Sequence, residues 1–308
     1  MGKISGWHHL TLSTDGVQED YDFYTKTLGL HSVKSTVLFD GVLPVYHLYY
    51  GAKSGDASTI ITSFPFRKPA VYGRRGSNQT KIIMQAIPVG AADFWVNRLN
   101  GRGIPATKFT RFGLDRVQFA HPCGIPHELV ENDGDNRAPI TNAAQGIGRE
   151  HGIKGIYGTV VSVMDRTAMD EFLTIALPLK KVADSHEGLA FEVPNAAGPA
   201  SRVEVLHEPN LPQGTWTLAG GTIHRVALNT GNEENQMSLR AHIEGLGFTD
   251  ISEQKDRLYF KSFCSEMSVA RCLNWPGPCL AAGHSTSLPM PSGRPWFSRR
   301  GLPTARTR

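Results

Sequence analysis

The chain opens with Trp7-His8-His9-Leu10-Thr11-Leu12, and a matching run returns far downstream as Ile223-His224-Arg225-Val226-Ala227-Leu228. In each, a large apolar residue precedes a polar pair, and apolar and β-branched residues follow, which reads as a strand. Each run is followed by an amphipathic stretch. After the first, Val17, Tyr21, Tyr24 and Leu28 recur at helical spacing and Gly29 supplies a stop. After the second, residues 233–247 carry Met237, Leu239, Ile243 and Leu246 and end at Gly247. Two more helices of this kind are expected. One spans about 91–103, with Phe94, Trp95, Val96 and Leu99; the other spans 166–179, with Met169, Phe172, Leu173 and Ala176. Short β-rich runs fill the intervals, among them 45–50, 59–64, 81–87, 127–131, 158–163 and 203–206. The chain thus reads as α+β, built of four βαβββ modules whose cupped sheets face inward around a site.

Its 308 residues predict about two domains. Residues 132–150 are rich in Asn, Asp and Gly, as a connection would be. The expected partition is 1–135, with two modules; a linker at 136–150; 151–262, with two more; and an irregular tail at 263–308. Hydrophobic residues make up 40% and charged residues 19%, enough apolar matter for a packed core. No apolar run approaches the ~20 residues of a membrane span. The N-terminus has no apolar segment of the secretory kind, so the cytoplasm is the expected location. The net charge of +4 belongs to the tail, where six Arg and no Lys face one acid, Glu266. The remaining residues are close to neutral, and a nucleic-acid partner is not expected. The four cysteines form no C-x-x-C pair, which removes zinc-ribbon and thioredoxin-type readings.

Equivalent strands of repeated modules can aim the same position into one cup, and His is the commonest metal ligand in such a place. Taken singly, a strand His is more often structural. His47, His121, His127, His151, His186, His207 and His242 are read that way, as structural or surface groups. Arg74 and Arg75 are read as braces of their loop, and Phe94, Trp95 and Trp216 as core.

Several ordered marks go further. They are Trp7-His8-His9, Asp22-Phe23-Tyr24 with Leu28-Gly29-Leu30, Val45 to Tyr50, Gly73 to Gln79, Thr110-Arg111-Phe112-Gly113 and His121-Pro122. The second half adds Leu206-His207-Glu208-Pro209, Gln213-Gly214-Thr215-Trp216 and Asp256 to Ser262. Over residues 5–262 the sequence resembles the ring-cleaving dioxygenases of the vicinal oxygen chelate superfamily, of the hydroquinone and chlorohydroquinone type. The resemblance implies two tandem vicinal oxygen chelate domains. It implies Fe(II), with Mn(II) as the alternative, on a two-His, one-carboxylate face, with dioxygen as co-substrate and a small aromatic substrate. The metal ligands it points to here are His9 and, in the fourth module, His224, with a Glu on the final strand. His8, His224 and Arg257 match positions that contact substrate or move its proton.

Two departures from the pattern matter. The fourth module of the family carries a His-His pair whose second member is the ligand, and here that member is Arg225. A guanidinium has no lone pair to donate. His224 can take over only through a bulge or slip, because adjacent strand residues face opposite ways. The resemblance also stops after Ser262. The expected Glu falls near Asn274, in a tail of six Pro and six Arg without Ile, Tyr, Asp, Gln or Lys. Read one base out of register, codons compatible with residues 268–275 can encode Gly-Gly-x-Val-Leu-Glu. The tail is therefore expected to be translated out of frame from about Phe263. Chemistry consistent with the resemblance includes an impaired dioxygenase, a glyoxalase-like metal lyase or isomerase, and a metal-free protein that captures an aromatic ligand. Exposed cup edges suit a homodimer.

Overall fold

The computed structural model describes residues 2–39, 44–66, 72–194, 201–215, 220–248, 251–256, 261–264, 267–269, 273–275 and 279–282. Module one consists of β1 (Gly6–Asp15), α1 (Val17–Asp22), β2 (His31–Phe39), β3 (Pro44–Gly51) and β4 (Ile60–Phe66). Module two has β5 (Gln79–Ile87), α2 (Ala92–Asn100), β6 (Thr107–Arg111), β7 (Leu114–Ala120) and β8 (Pro126–Glu131). Module three has β9 (Gly155–Val163), α3 (Arg166–Glu171), β10 (Lys180–Ser185), β11 (Gly188–Glu192) and β12 (Arg202–His207). Module four has β13 (Thr222–Asn229), α4 (Glu233–Gly245), β14 (Lys255–Asp256) and β15 (Lys261–Cys264). Beyond it lie β16 (Met267–Val269), β17 (Leu273–Trp275) and β18 (Cys279–Ala282).

The helices sit where the apolar spacing puts them. Asp165 and Asn232 cap α3 and α4 by accepting the backbone N–H of Ala168 and Asn235. Helices α1 and α3 each pass into a wider π turn, at Phe23–Thr27 and Phe172–Ala176. That turn keeps Phe23, Tyr24, Phe172 and Leu173 on the buried side. Among the described residues no helix is long and apolar enough to cross a membrane.

The strands form two eight-stranded sheets, and the sheets cross the halves of the chain. One runs β14-β15-β18-β13-β1-β4-β3-β2 and joins module one to module four. The other runs β10-β11-β12-β9-β5-β8-β7-β6 and joins module two to module three. Alternation fixes which face is which. Leu10, Leu12, Leu48, Tyr50 and Ile61 turn towards the helices and join Phe23, Tyr24 and Leu28 in the core. Each such large apolar side chain contributes roughly 1.5–3 kcal/mol on burial. The opposite face of each sheet, the inner face of the expected cup, carries the alternate side chains, with His9, Thr11, His47 and Tyr49 on the first.

The tail differs from expectation in its backbone. Strand β18 inserts between β13 and β15, in the place of the module's last strand. Asn274, the position expected to carry the missing carboxylate, lies elsewhere, paired with Ser268 in the separate β16-β17 ribbon.

Candidate functional site

The first cup is centred on the antiparallel pair β1 and β13. Their register shifts twice, once at His8 and once at His224, each an extra residue in the strand count. Such bulges re-aim side chains. The pairs Trp7–Leu228, His9–Ala227, Leu10–Val226, Thr11–Arg225 and Leu12–Ile223 then map onto themselves under a local twofold. His8 corresponds to His224, and His9 to Arg225.

The second sheet repeats the design. Strands β5 and β9 slip at Lys81 and at Tyr157, so Ile82 and Gly158 take the places of His9 and Arg225. The neighbouring parallel strands complete the comparison. Thr11 faces Thr62, Met84 faces Glu128, Val160 faces Glu204 and Ala227 faces Cys279. In the chain as encoded, the position that matches Glu128 and Glu204 on the last strand of the first sheet is 279, whereas Asn274 lies in the separate ribbon.

Around the first cup, the Nδ1 atoms of His8 and His9 lie 2.8 Å apart, with the rings nearly perpendicular. His47 stands on β3, its ring 4.2 Å from that of Phe64, and Phe64 in turn lies 6.0 Å from His224. The Tyr49 hydroxyl meets His47 Nδ1 at 2.9 Å, whereas His47 Nε2 is buried with no hydrogen-bond partner among the described residues. Burial pushes the pKa of His8 down to about 4. Burial and then Lys34 push that of His47 to about 3. Burial, then Arg225, then His47 push that of His224 to about 3. All three imidazoles are neutral at pH 7, the form that accepts hydrogen bonds or binds a metal.

The sequence places His8, His9 and His224 at this site, and the structure brings them onto the paired strands at its centre. Arg257 lies outside the described residues. His47, read from the sequence as structural or surface, joins the cup. The only signal for it was its alternation with Tyr49 against the core-facing Leu48 and Tyr50. Two other readings describe what the structure shows: Arg74 donates to the Gln213 carbonyl at 3.0 and 3.2 Å, and Arg75 donates to the Gly124 carbonyl.

These donors do not fit a complete two-His, one-carboxylate centre. Among the described residues no group of three His, Cys, Asp or Glu side chains could hold a metal. Arg225 holds on β13 the place that His9 holds on β1, and its fixed positive charge opposes a cation.

The second cup is filled by charged side chains. Glu128 and Glu204 occupy its two carboxylate positions, both buried. The buried Arg116 bridges them, at 2.9 Å to Glu128 and 2.6 Å to Glu204. Arg111, from the Thr110 to Gly113 mark, adds contacts of 2.7 Å to each. Arg202 adds a third guanidinium, 3.3 Å from Glu204, so the two carboxylates are fully counter-charged. At the bulge, Lys81 reaches Glu208 at 2.6 Å, which gives Glu208 a structural task.

Comparison with known proteins decides the family. No family model matches the chain. It is 32% identical over 262 residues to the chlorohydroquinone/hydroquinone 1,2-dioxygenase of Sphingobium indicum, covering 84% of this chain and 81% of the relative. The chain belongs to the ring-cleaving dioxygenases. Bacillus subtilis MhqO, named as a ring-cleaving dioxygenase, is also 32% identical over 262 residues, with 84% and 80% covered. A crystal structure of a Bacillus subtilis protein described as a dioxygenase superposes with a TM-score of 0.81 at 27% identity, over 92% of this chain and 86% of that one. Glyoxalase I of Zea mays shares the fold, with a TM-score of 0.61 at 12% identity over 93% and 94%. The fold is that of the vicinal oxygen chelate proteins. In this ring-cleaving dioxygenase, one cup keeps imidazoles at the equivalent strand positions, and the other is closed by an internal ion cluster.

Proposed function

We propose that the chain is a ring-cleaving dioxygenase for hydroquinone-type aromatics, Fe(II)-dependent by descent, whose metal centre is incomplete as encoded. Family membership supports the reaction class. The observation that carries the rest is the equivalence of His9 and Arg225 across the twofold of β1 and β13. His9 and, through its bulge, His224 are the nitrogen donors that remain. The chain's own groups are still suited to a phenol. Neutral His8 and His224 accept hydrogen bonds from ring hydroxyls, Arg225 stabilises a phenolate, and Phe64 with His47 offers an aromatic wall.

Oxygen uptake with hydroquinone under reducing conditions tests this reading. The chain as encoded is expected to show no uptake that scales with Fe(II). Uptake should appear in Arg225→His once a tail carrying the carboxylate is restored. Iron-scaled uptake by the unaltered chain would overturn the incomplete centre and mean that His224 and a further carboxylate complete it.

The same Arg225 favours a second reading, capture of a phenol without metal. Calorimetry with hydroquinone in the presence of a chelator would then show binding that Arg225→Ala abolishes.

A further inference from the structure

Outside both cups, where α1 meets the turn between β7 and β8, three side chains form a line. Asp20 is fully buried and accepts hydrogen bonds from Thr14 at 2.8 Å, Tyr50 at 2.7 Å and Ser63 at 2.6 Å. Its Oδ1 lies 3.2 Å from Nε2 of the buried His121. On the far side of the ring, Nδ1 lies 2.9 Å from Sγ of Cys123. Cys123 is a free cysteine and only half-buried.

The tautomer follows from the neighbours. The backbone N–H of Cys123 donates to Nδ1 at 3.1 Å, so that nitrogen is the acceptor. In the neutral ring the proton therefore sits on Nε2, whose 3.2 Å approach to the Asp20 carboxylate is an electrostatic contact without hydrogen-bond alignment. The thiol sulfur lies against the same nitrogen, so the Nδ1 lone pair is shared between the Cys123 backbone N–H and its S–H. Carboxylate, imidazole and nucleophile then stand in the order by which such groups activate one another. The imidazole is held from both sides: the Phe23 ring meets it edge-on at 4.6 Å and the Tyr24 ring lies 5.7 Å away.

From this geometry we propose that Cys123 is an activated thiol that is covalently modified by electrophilic quinones. The choice of quinones rests on the hydroquinone reading above, because a quinone is the two-electron oxidation product of that substrate class. The chemistry needs no further reagent. With the shared proton held on His121, whose affinity for it is raised by Asp20 and Cys123, the Cys123 thiolate sulfur adds to a ring carbon of the quinone C=C. The electron pair of that bond moves through the ring to a carbonyl oxygen, which is protonated. One C–S bond forms; the ring carbon that bears sulfur then gives up its hydrogen as a proton, the second carbonyl oxygen takes up a proton, and the ring re-aromatises as a thioether-substituted hydroquinone.

The charged and titratable surroundings support the pairing. Burial disfavours a charge on His121, but its contacts with Asp20 and Cys123 outweigh this and raise its pKa to about 9. Asp20 faces it from α1, Tyr24 from the π turn and His127 from β8. Burial, then His121, lower the pKa of His127 to about 3, so it stays neutral. Tyr24 is raised well above the phenol range by burial, then Asp20, then Cys123. Tyr72 lies within electrostatic range of Cys123, and the Arg75 guanidinium packs on Gly124 in the same turn.

The test uses the full chain, iodoacetamide and peptide mass spectrometry, which separates Cys123 from the three other cysteines. Cys123 should be alkylated at pH 6 about tenfold faster than an ordinary thiol of pKa ~8.5. In His121→Gln and in Asp20→Asn, checked for native fold by circular dichroism, the rate should fall and the profile should climb only through pH 8–9. A parent profile identical to that of His121→Gln overturns the activation. One equivalent of 1,4-benzoquinone should then place a single adduct on Cys123. Alkylation by iodoacetamide without that adduct overturns the electrophile class. None of these readouts depends on oxygen uptake, so failure of the dioxygenase reading would be seen separately.

Discussion

Arg225 occupies on β13 the place that His9 occupies on β1. The two are related by a twofold that also superposes the bulged His8 and His224, so one register fixes both halves of the site. An imidazole and a guanidinium at matched positions give opposite responses to a cation. The first donates a lone pair; the second repels the charge.

Arg225→His is therefore expected to raise Fe(II) affinity by about tenfold or more, equivalent to at least ~1.4 kcal/mol. Competition titration against a metal-sensitive dye, under anaerobic conditions, reads this without turnover. Equal affinity in parent and variant would count against the assignment. Removing the guanidinium should also release His224, whose pKa should climb from about 3 as Arg225 is among its depressing influences. Histidine NMR titration of Arg225→Ala checks that shift.

The pH dependence of stability has two arms. His8, His47, His127 and His224 are held neutral, at about 4, 3, 3 and 3 respectively, against ~6.5 in the unfolded chain. Between those values the unfolded chain binds more protons, so stability falls as pH drops below ~6.5, by up to about 1.4 kcal/mol per pH unit for each group. His121 works the other way. Its pKa is raised to about 9, so its contribution is complete below ~6.5 and is lost as pH rises through 9. Urea unfolding at pH 5, 7 and 9 should give its highest midpoint near 7, and His47→Asn should flatten the acid arm. An acid arm as steep in the variant as in the parent would contradict the assignment to His47.

The ion cluster of the second sheet holds two carboxylates that share Arg116, while Arg111 contacts both and Arg202 reaches Glu204 at 3.3 Å. Arg116→Met should destabilise the chain by about 3–5 kcal/mol, the cost of leaving buried charge uncompensated. Adding Glu204→Gln should recover part of the loss, because the two residues are in contact at 2.6 Å. A double-mutant cycle by chemical denaturation measures the coupling. Additive losses would mean that Arg111 already neutralises both carboxylates.

The genomic nucleotide sequence tests the tail directly. Read one base on from about codon 263, it should show a second frame encoding Gly-Gly-x-Val-Leu-Glu. Absence of that motif in either alternative frame would leave residues 263–308 as the native end of this chain.

Much of the fold could be read from residue spacing. The stripes at Val17 to Leu28 and Met169 to Ala176 marked the helices, and the pairing of Trp7-His8-His9 with Ile223-His224-Arg225 marked the repeat. The strict register argument also exposed Arg225. What spacing could not show was cross-strand register. The bulges at His8 and His224 exist only relative to the partner strand, so sequence alternation alone could not aim their side chains. The same limit hid that, in the chain as encoded, residue 279 and not 274 pairs with β13. His47 was missed because its face depends on which side of β3 the helices cover. Glu128 and Glu204 were missed because their shared Arg116 is brought between them by the sheet. Asp20 and His121, one on a helix and one in a turn of the next module, have no local pattern that links them.

The sharing of one sheet by the first and last modules also sets an order of events on the ribosome. Modules two and three can pair as soon as β12 has emerged. Strand β1 must wait for β13, and at roughly 5–20 residues per second the delay is on the order of tens of seconds. Through that interval the nascent chain carries an unpaired strand edge bearing His8 and His9. A lesion late in the gene therefore strikes the earliest-made part of the protein, and chaperone demand should rise with any change that slows synthesis of the final module.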